Sequence, residues 1–362
     1  MNKNKRVLVG LSGGVDSSLA AVLLQEQGYE VIGVTMAIYD EENSMAKVVG
    51  NACYDINEKD DIEEAKALAE KIGIQYVVAD CIEDYKKLVL SYFKEEYMAG
   101  RTPNPCVKCN HLMKFGAMPS MAQKMGVDFD YFATGHYAQI EFSEKYNRYV
   151  LKRGVEPKKD QSYFLYRLNQ EQLENTILPM GKFTKAETRK LAKERGLTVH
   201  DKPDSQDFYS GDYNDILQEP AREGNIIDKD GNILGKHQGF WNFTLGQRKG
   251  LGIAYSEPLY VIAIRPKTNE VVVGIEESTF NHGCIVKDLT FILPEPEAGK
   301  SLKAKIRSSQ QPFEVILKSY SEDKKEIEIE FVDMQKAVAP GQSCVLYEDD
   351  LVVGGGIIKS KI

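Results

Sequence analysis

The sequence predicts a doubly wound α/β domain with a mostly parallel sheet, followed by a small central module and a C-terminal antiparallel β-barrel. Three observations carry this. Short apolar runs alternate with helix-length stretches from Val7 to about residue 200. After Pro203, glycines at 211, 224, 231, 235, 239, 246, 250 and 252 break the chain into short segments. From about Cys284 onward polar and apolar residues alternate, as in Lys303-Ala304-Lys305-Ile306-Arg307 and Glu326-Ile327-Glu328-Ile329-Glu330-Phe331, with turn residues between the runs. The domain boundaries are expected at 1–207, 208–282 and 283–362.

Val7-Leu8-Val9 is the first buried strand, and Leu19-Ala20-Ala21-Val22-Leu23-Leu24 has the composition of a buried helix. A turn at Gln27-Gly28 leads into a second strand, Val31 to Met36, and the polar stretch Asp40 to Asn57 reads as a loop. Asp60, Asp61, Glu63 and Glu64 open a helix that ends near Gly73, as the helix dipole favours. Tyr76 to Ala79 is the next strand, and Ile82 to Met98 carries apolar residues at helical spacing up to Gly100. Pro103 and Pro105 bar regular structure there, which puts Cys106 and Cys109 on a surface loop or at the start of the next helix. That helix is expected from Lys114 to Met125, and a strand from Phe129 to Thr134 closes at Gly135-His136-Tyr137.

With 362 residues, two or three domains can each bury a core. A hydrophobic share of 42% and a charged share of 28% suit a soluble globular chain, and no apolar run reaches the roughly 18 residues of a membrane span. The basic start Met1 to Arg6 lacks a signal-like apolar core, so a cytoplasmic location is expected. Six cysteines without a small disulfide framework predict reduced thiols. A net charge of −8 excludes indiscriminate nucleic-acid binding and confines any RNA contact to local patches. Two candidates are Lys182, Lys185, Arg189, Lys190, Lys193 and Arg195, and then Lys300, Lys303, Lys305 and Arg307. A solvated helix face with acid–base pairs competes for the first.

Between the first strand and the first helix lies Ser12-Gly13-Gly14-Val15-Asp16-Ser17-Ser18. A strand, a glycine turn and a helix start make an anion site, since the free amides and the helix dipole both favour a phosphate. The two glycines allow it close to the backbone. Nothing here reads G-x-x-x-x-G-K-[ST], so a Walker-type lysine grip on the β and γ phosphates is not expected. The motif resembles that of the pyrophosphate-loop adenylating enzymes, with an adenine nucleotide alpha hydrolase-like fold.

Further segments narrow the resemblance: Gly100 to Asn110, Lys158 to Leu165, Asp204-Ser205-Gln206-Asp207, Phe243 to Gly252 and Ala337 to Gln342. Together they resemble the tRNA-uridine 2-sulfurtransferase (2-thiouridylase) family nearly end to end. The resemblance implies ATP-dependent adenylation of O2 of the wobble uridine (U34), with sulfur then displacing AMP. It implies ATP and Mg2+ as cofactors, and the glutamate, glutamine and lysine tRNAs as substrates. A sulfur donor, a sulfurtransferase relay or free sulfide, is implied as a further partner, with no membrane. It implies ATP contacts at Gly10, Leu11, Ser12, Gly13, Gly14, Val15, Asp16 and Ser17, with Met36 near the adenine and Gly135 near the nucleotide. Cys109 matches the family's first catalytic cysteine, and Asn104, Pro105 and Cys106 match the loop that meets the target base. His136, Lys158, Lys159, Asp160, Arg307, Ser308 and Gln342 match positions that touch tRNA. The wobble base must leave its stack to reach a buried site.

One departure from the family pattern stands out. A second catalytic cysteine, the persulfide carrier, usually follows Asp-Ser-Gln-Asp; here Tyr209 stands in its place. A phenol cannot carry a persulfide. Cys106 and Cys109 form a C-x-x-C, and Cys53 lies in the loop after the second strand. Such thiols suit redox work, zinc or iron–sulfur ligation, and spacing does not distinguish them. A [4Fe-4S] cluster on Cys53, Cys106 and Cys109 is therefore one option, and a persulfide on Cys106 or Cys109 another. His111 is the obvious nearby fourth ligand for zinc. Cys81, Cys284 and Cys344 sit in apolar runs, as packed core residues do. Two other classes compete with the enzyme reading: a small-molecule adenylating synthetase, and a tRNA-binding protein with degraded thiolation chemistry.

Overall fold

The computed structural model describes residues 5–40, 52–197 and 208–362. The expected loop Asp40 to Asn57 falls largely outside them, as does Asp204 to Asp207. The chain forms two compact units: Met1–Leu90, Pro105–Asp215 and Asp350–Val352 make the first, and Ser91–Asn104, Ile216–Asp349 and Val353–Ile362 the second.

In the first unit, strand β1 (Arg6–Gly10) is flanked by β2 (Glu30–Ala37) and β4 (Tyr131–Ala133), with β3 (Gln75–Asp80) and β7 (Thr176–Ile177) outside them. The order is β3-β2-β1-β4-β7, with parallel pairing between neighbours. Strand order therefore reverses at β1, where chain connections diverge to the two sides. In such sheets a ligand crevice opens beyond the carboxyl end of that strand. Helix α1 (Val15–Glu26) starts at this point.

Helix α1 is apolar on more than one face because it is covered on more than one face. Ala21 and Leu24 pack with Val7, Val9, Leu11 and Val31 of the sheet layer. Val15, Leu19 and Ala20 pack with Tyr137, Met180, Ala192 and Leu197 on the other side. Helix α2 (Glu58–Ile72) begins with Glu58, Asp60 and Asp61 and ends on Gly73 in the left-handed conformation. A further helix, α3 (Lys185–Glu194), is closed by a capping box in which Thr184 and Glu187 bond each other's backbone amides.

Two features differ from the expectation. Between β4 and β7 the chain leaves the parallel sheet for an antiparallel hairpin, β5 (Ala138–Ser143) and β6 (Arg148–Arg153), turning at Asn147 in the left-handed region. The helix expected from Lys114 starts earlier, at Pro105, where proline suits a first turn, and continues as a π-helical stretch over Cys109–Ala117 and an α-helical one over Met118–Lys124. Cys106 and Cys109 thus ride at the start of that helix, one of the two placements expected for them.

The second unit holds a four-stranded sheet and a barrel. The sheet runs β10-β11-β8-β9, with β8 Gly224–Ile227, β9 Ile233–His237, β10 Tyr260–Arg265 and β11 Glu270–Gly274. The barrel comprises β12 (Phe280–Phe291), β13 (Ser301–Lys305), β14 (Phe313–Tyr320), β15 (Glu326–Lys336), β16 (Ser343–Glu348) and β17 (Leu351–Lys361). Their order β12-β15-β14-β13-β16-β17 closes through antiparallel pairing of β12 with β17. The alternation read in β15 turns Ile327, Ile329 and Phe331 inward. No helix among the described residues is long and apolar enough to cross a membrane.

Candidate active site

The loop from Gly10 to Ser17 bridges β1 and α1 and is tied down on every side. Leu11 donates its amide to Val34 O at 2.8 Å, and Thr35 Oγ1 donates to Leu11 O at 2.8 Å. Gly13 takes a left-handed φ of 66°, which glycine alone adopts without strain. Ser17 Oγ accepts from the Ser12 amide at 3.2 Å, and Ser18 Oγ donates to Gly14 O at 2.8 Å. No side chain caps α1: its N-cap is Gly14, so the mouth of the helix is lined by backbone. That is the chemistry of a phosphate cradle. Gly135 faces it so closely that a Cβ there would lie 2.7 Å from the carbonyl carbon of Asp16 and from the Ser17 amide nitrogen. Met36 lies half-buried near the carboxyl end of β2. The residues present fit an adenine nucleotide with its triphosphate over the loop.

Asp16 in the first turn of α1 is the charged centre. Lys185 Nζ donates to both of its oxygens at 2.8 Å, and Tyr137 Oη donates to Oδ1 at 2.8 Å. The Thr188 hydroxyl in turn sits 2.9 Å from Tyr137 Oη. Tyr137, Lys185 and Thr188 were not singled out by the motif. Tyr137 carries only its place in the Gly135-His136-Tyr137 closure, and Lys185 and Thr188 only the Lys182 to Arg195 basic run, which Lys185 leaves to become a buried side chain. Arg195 pairs with Glu26 through Nε at 2.8 Å, and Lys190 with Glu194 at 3.9 Å. Much of this patch is thus the acid–base surface that the competing reading described.

The thiols group around the π-helical stretch. Cys109 is buried, Cys106 half-buried and Cys53 exposed. Burial pushes the Cys109 thiol up to about 11, opposed by the nearby Lys114 ammonium and reinforced by Cys53. Burial works against the charge on Lys114, while Cys53, Cys109 and Cys106 outweigh it and raise its pKa. In a π-helix each amide reaches back to the carbonyl five residues earlier, which sets Lys114 one turn beyond Cys109. Tyr85, fully buried, feels the same three thiols after the dominant effect of its burial. Among the described residues no three His, Cys, Asp or Glu side chains are arranged to hold a metal ion. His111 is kept toward the neutral form by burial and then by Arg167 and Lys108.

Tyr209 does not point a polar group at the thiols. It is buried, and its hydroxyl donates to Asp215 Oδ2 at 2.5 Å. Phe208 and Tyr209 extend an aromatic stack with Tyr54 and Tyr85, in which Tyr54 lies 5.5 Å from Tyr85 and 6.4 Å from Phe208. The Tyr54 amide also donates to Phe208 O at 3.1 Å. The segment that carries Cys53 is thereby fastened alongside the segment that carries Tyr209. Cys81 is a core thiol, pushed up to about 12 by burial and neighbouring carboxylates, and Cys284 and Cys344 are fully buried in the barrel.

The positions matched to tRNA divide into exposed and engaged groups. Lys158 is exposed and Lys159 half-exposed. His136 is buried, within 2.7 Å of Thr134 Oγ1 through Nδ1, and burial followed by Lys114 lowers its pKa to about 3, so it is neutral. Asp160 is buried, pairs with Arg153 Nε at 2.9 Å and accepts from the Gly154 and Ser162 amides. In the second unit Arg307 donates to Leu245 O and Ala337 O, at 3.3 and 3.2 Å, with Ser308 half-buried beside it. Gln342 donates to Thr102 O and Pro103 O, at 3.3 and 2.8 Å, bracing the segment that ends at buried Asn104. Pro105, the next residue, belongs to the first unit and is half-buried. Lys300 and Lys303 pair with Glu348 and Glu314, and Lys305 is buried.

Comparison with known proteins decides between the enzyme classes that share such a loop. The families described as tRNA methyl transferase HUP domain, tRNA methyl transferase PRC-barrel domain and aminomethyltransferase beta-barrel domain match residues 5–209, 214–275 and 281–358. The tRNA-specific 2-thiouridylase MnmA of Endomicrobium trichonymphae is 47% identical over 99% of this chain and all of its own length. The chain belongs to the tRNA-specific 2-thiouridylase family. Members from Clostridioides difficile and Acetivibrio thermocellus, likewise tRNA-specific 2-thiouridylases, are 44% and 45% identical over 100% and 98% of this chain and 100% and 99% of theirs. The 2-thiouridylase resemblance is thus borne out.

Proposed function

We propose that this chain is an ATP-dependent tRNA sulfurtransferase (EC 2.8.1.-) that places sulfur at C2 of the wobble uridine. The full-length match to tRNA-specific 2-thiouridylases carries this reading, and the backbone-lined loop over α1 supports it. ATP supplies the activating group: O2 of the uridine attacks the α-phosphorus, the bond to pyrophosphate breaks, and an adenylated uridine results. Gly10 to Ser17 would hold the phosphates, Met36 and Gly135 would border the nucleoside, and Asp16 would serve the Mg2+ that accompanies ATP. Asn104, Pro105, His136, Lys158, Lys159, Asp160, Arg307, Ser308 and Gln342 form or brace the tRNA contacts, and the glutamate, glutamine and lysine tRNAs are the expected substrates.

Sulfur travels on cysteine. Cys53 is exposed and open to a donor, whereas Cys109 is buried, where a transferred sulfur is shielded from water. The terminal sulfur of a persulfide on Cys109 attacks C2, and AMP leaves. A thiolate of Cys53 or Cys106 then attacks the Cys109 sulfur, breaks the sulfur–sulfur bond to the base and forms a protein disulfide. An external thiol reductant resets the pair. A [4Fe-4S] cluster on Cys53, Cys106 and Cys109 is the alternative route for the sulfur, and iron analysis after anaerobic purification decides between the two. The three-part division at 207 and 282 and a cytoplasmic location belong to the same reading.

The test is thiolation of a transcribed tRNA by the purified chain with MgATP, a persulfide-bearing sulfurtransferase as sulfur donor and a thiol reductant, read as 2-thiouridine by mass spectrometry. Cys109→Ser abolishes the product while tRNA-dependent release of pyrophosphate persists. A tRNA-binding protein with degraded chemistry yields neither product nor pyrophosphate, and a small-molecule synthetase releases pyrophosphate without tRNA.

A further inference from the structure

The nucleotide loop lacks a Walker lysine, yet a lysine is present at its mouth. Lys185 enters from α3, far along the chain, and lays its ammonium across both oxygens of Asp16 at 2.8 Å. Its seat is built. The capping box fixes the first turn of α3, and the Lys185 amide donates to Glu156 Oε2 at 2.7 Å. The Lys185 side chain is 10% exposed, whereas that of Asp16 is 27% exposed. Tyr137 borders the pair, with its ring centroid 5.7 Å from Nζ and its hydroxyl on Asp16 Oδ1. Thr188, one turn further along α3, holds the Tyr137 hydroxyl. Two side chains from distant parts of the chain, one of them held in turn by Thr188, thus converge on one carboxylate in the first turn of α1.

A purely structural ion pair does not need this position. Burying a lysine carries a desolvation cost that its pairing does little more than repay, and a helix already favours an acid in its first turn without a lysine. A cation held at a helix N-terminus works against the helix dipole unless an anion is close. Asp16 is that anion in the nucleotide-free fold. A polyphosphate at the same helix end brings several negative charges within reach of the same ammonium.

We propose that Lys185 is the phosphate-binding cation of this loop, exchanging its hold on Asp16 for the β and γ phosphates of ATP and steadying the charge that pyrophosphate gains as it leaves. The exchange keeps the proton on Nζ and frees Asp16 for the magnesium ion. Lys185 then belongs to nucleotide binding and not to the basic face that meets tRNA. The inference rests on the ATP-dependent reading of the site.

Titration calorimetry with AMP, ATP and magnesium pyrophosphate on the full chain, beside tRNA binding by filter retention, tests this. Lys185→Met should weaken pyrophosphate and ATP binding by about tenfold or more, the worth of a charge-assisted hydrogen bond, with AMP and tRNA affinity within about threefold of wild type. Lys185→Arg keeps a partner for Asp16, so it guards against a misfolded Met variant, and should restore most of the pyrophosphate affinity. Equal losses for AMP and pyrophosphate in both variants, or unchanged pyrophosphate binding, overturn the proposal. Loss of tRNA affinity alone also overturns it and returns Lys185 to the basic patch. Failure of the wild-type chain to bind ATP at all refutes the underlying functional reading instead.

Discussion

Replacing Gly135 by alanine tests the nucleotide loop with one methyl group. The added Cβ meets the carbonyl carbon of Asp16 and the amide nitrogen of Ser17 at 2.7 Å, and Asp16 Cβ at 3.0 Å. Non-bonded heavy atoms settle near ~3.5–4.0 Å, so one of the two backbones must retreat by about 1 Å. Neither is free to do so, because Asp16 is held by Lys185 and Tyr137, and Ser17 is bonded to Ser12. Overpacking of this kind costs about 1–3 kcal/mol. For a unit of this size that lowers the melting temperature by roughly 3–10 °C. A displacement of about 1 Å in a binding loop costs up to ~100-fold in function. Gly135→Ala should therefore raise the ATP dissociation constant by about ten- to a hundredfold, measured by calorimetry, with a lower melting temperature by scanning fluorimetry. As a control, Gly116→Ala adds a Cβ 3.4 Å from its nearest neighbour, inside a helix, and should be neutral or slightly stabilising. An alanine at 135 with wild-type ATP affinity and melting temperature refutes the close-approach reasoning.

Three further outcomes follow from the same geometry. Glu58 accepts from the Ile38 and Tyr39 amides, yet burial raises its pKa from 4.5 to about 7, so its neutral form suits the fold better than its ion. Stability linked to Glu58 is complete below about pH 4.5 and is lost as pH rises through 7. Glu58→Gln should remove that slope and gain about 1–2 kcal/mol at pH 8 in denaturant titrations, a figure reduced for partial exposure. Tyr209→Phe deletes a bond to a carboxylate and should cost about 1.5–3 kcal/mol of stability while leaving thiolation per folded molecule unchanged. A loss of turnover without a loss of stability would place the phenol in the chemistry. Arg307→Ala removes the donor to two backbone carbonyls of the second unit and should destabilise by about 2 kcal/mol, read as a shift in denaturant midpoint.

The parallel sheet and the barrel were legible because burial leaves its period in the sequence: continuous apolar runs for strands covered on two faces, strict alternation for β15. The hairpin of β5 and β6 was not separated from the surrounding α/β pattern, although Ala138–Ser143 and Arg148–Arg153 are short strands around a turn. Its turn residue, Asn147, is a weaker signal than an Asn-Gly pair. The nucleotide loop was legible because glycines and a helix start are local features. Its completion was not. Tyr137, Lys185 and Thr188 are ordinary residues until the fold sets them against Asp16, and spacing in the sequence says nothing about that. The same limit applied to Lys185 in the opposite sense, since charge patterning placed it on a basic face. Cys109 carried its motif, whereas the pairing of the Cys53 segment with the Tyr209 segment rests on Tyr54 and Phe208, whose stacking no linear pattern announces.

The partners of Asp16 also set an order of events during synthesis. Tyr137 lies 121 residues downstream of it, and Lys185 169. At roughly 5–20 residues per second, the ribosome makes β1 and the loop some ten to thirty seconds before the lysine that neutralises the carboxylate. Until then the nascent chain carries the glycine loop without the side chains that fix its charge. A nascent chain stalled before α3 emerges thus has the motif in full and the nucleotide seat only in part. If Lys185 serves the phosphates as proposed, competence to hold ATP arrives late, with the last helix of the first unit's described α/β layer, and so reports that the layer has been assembled.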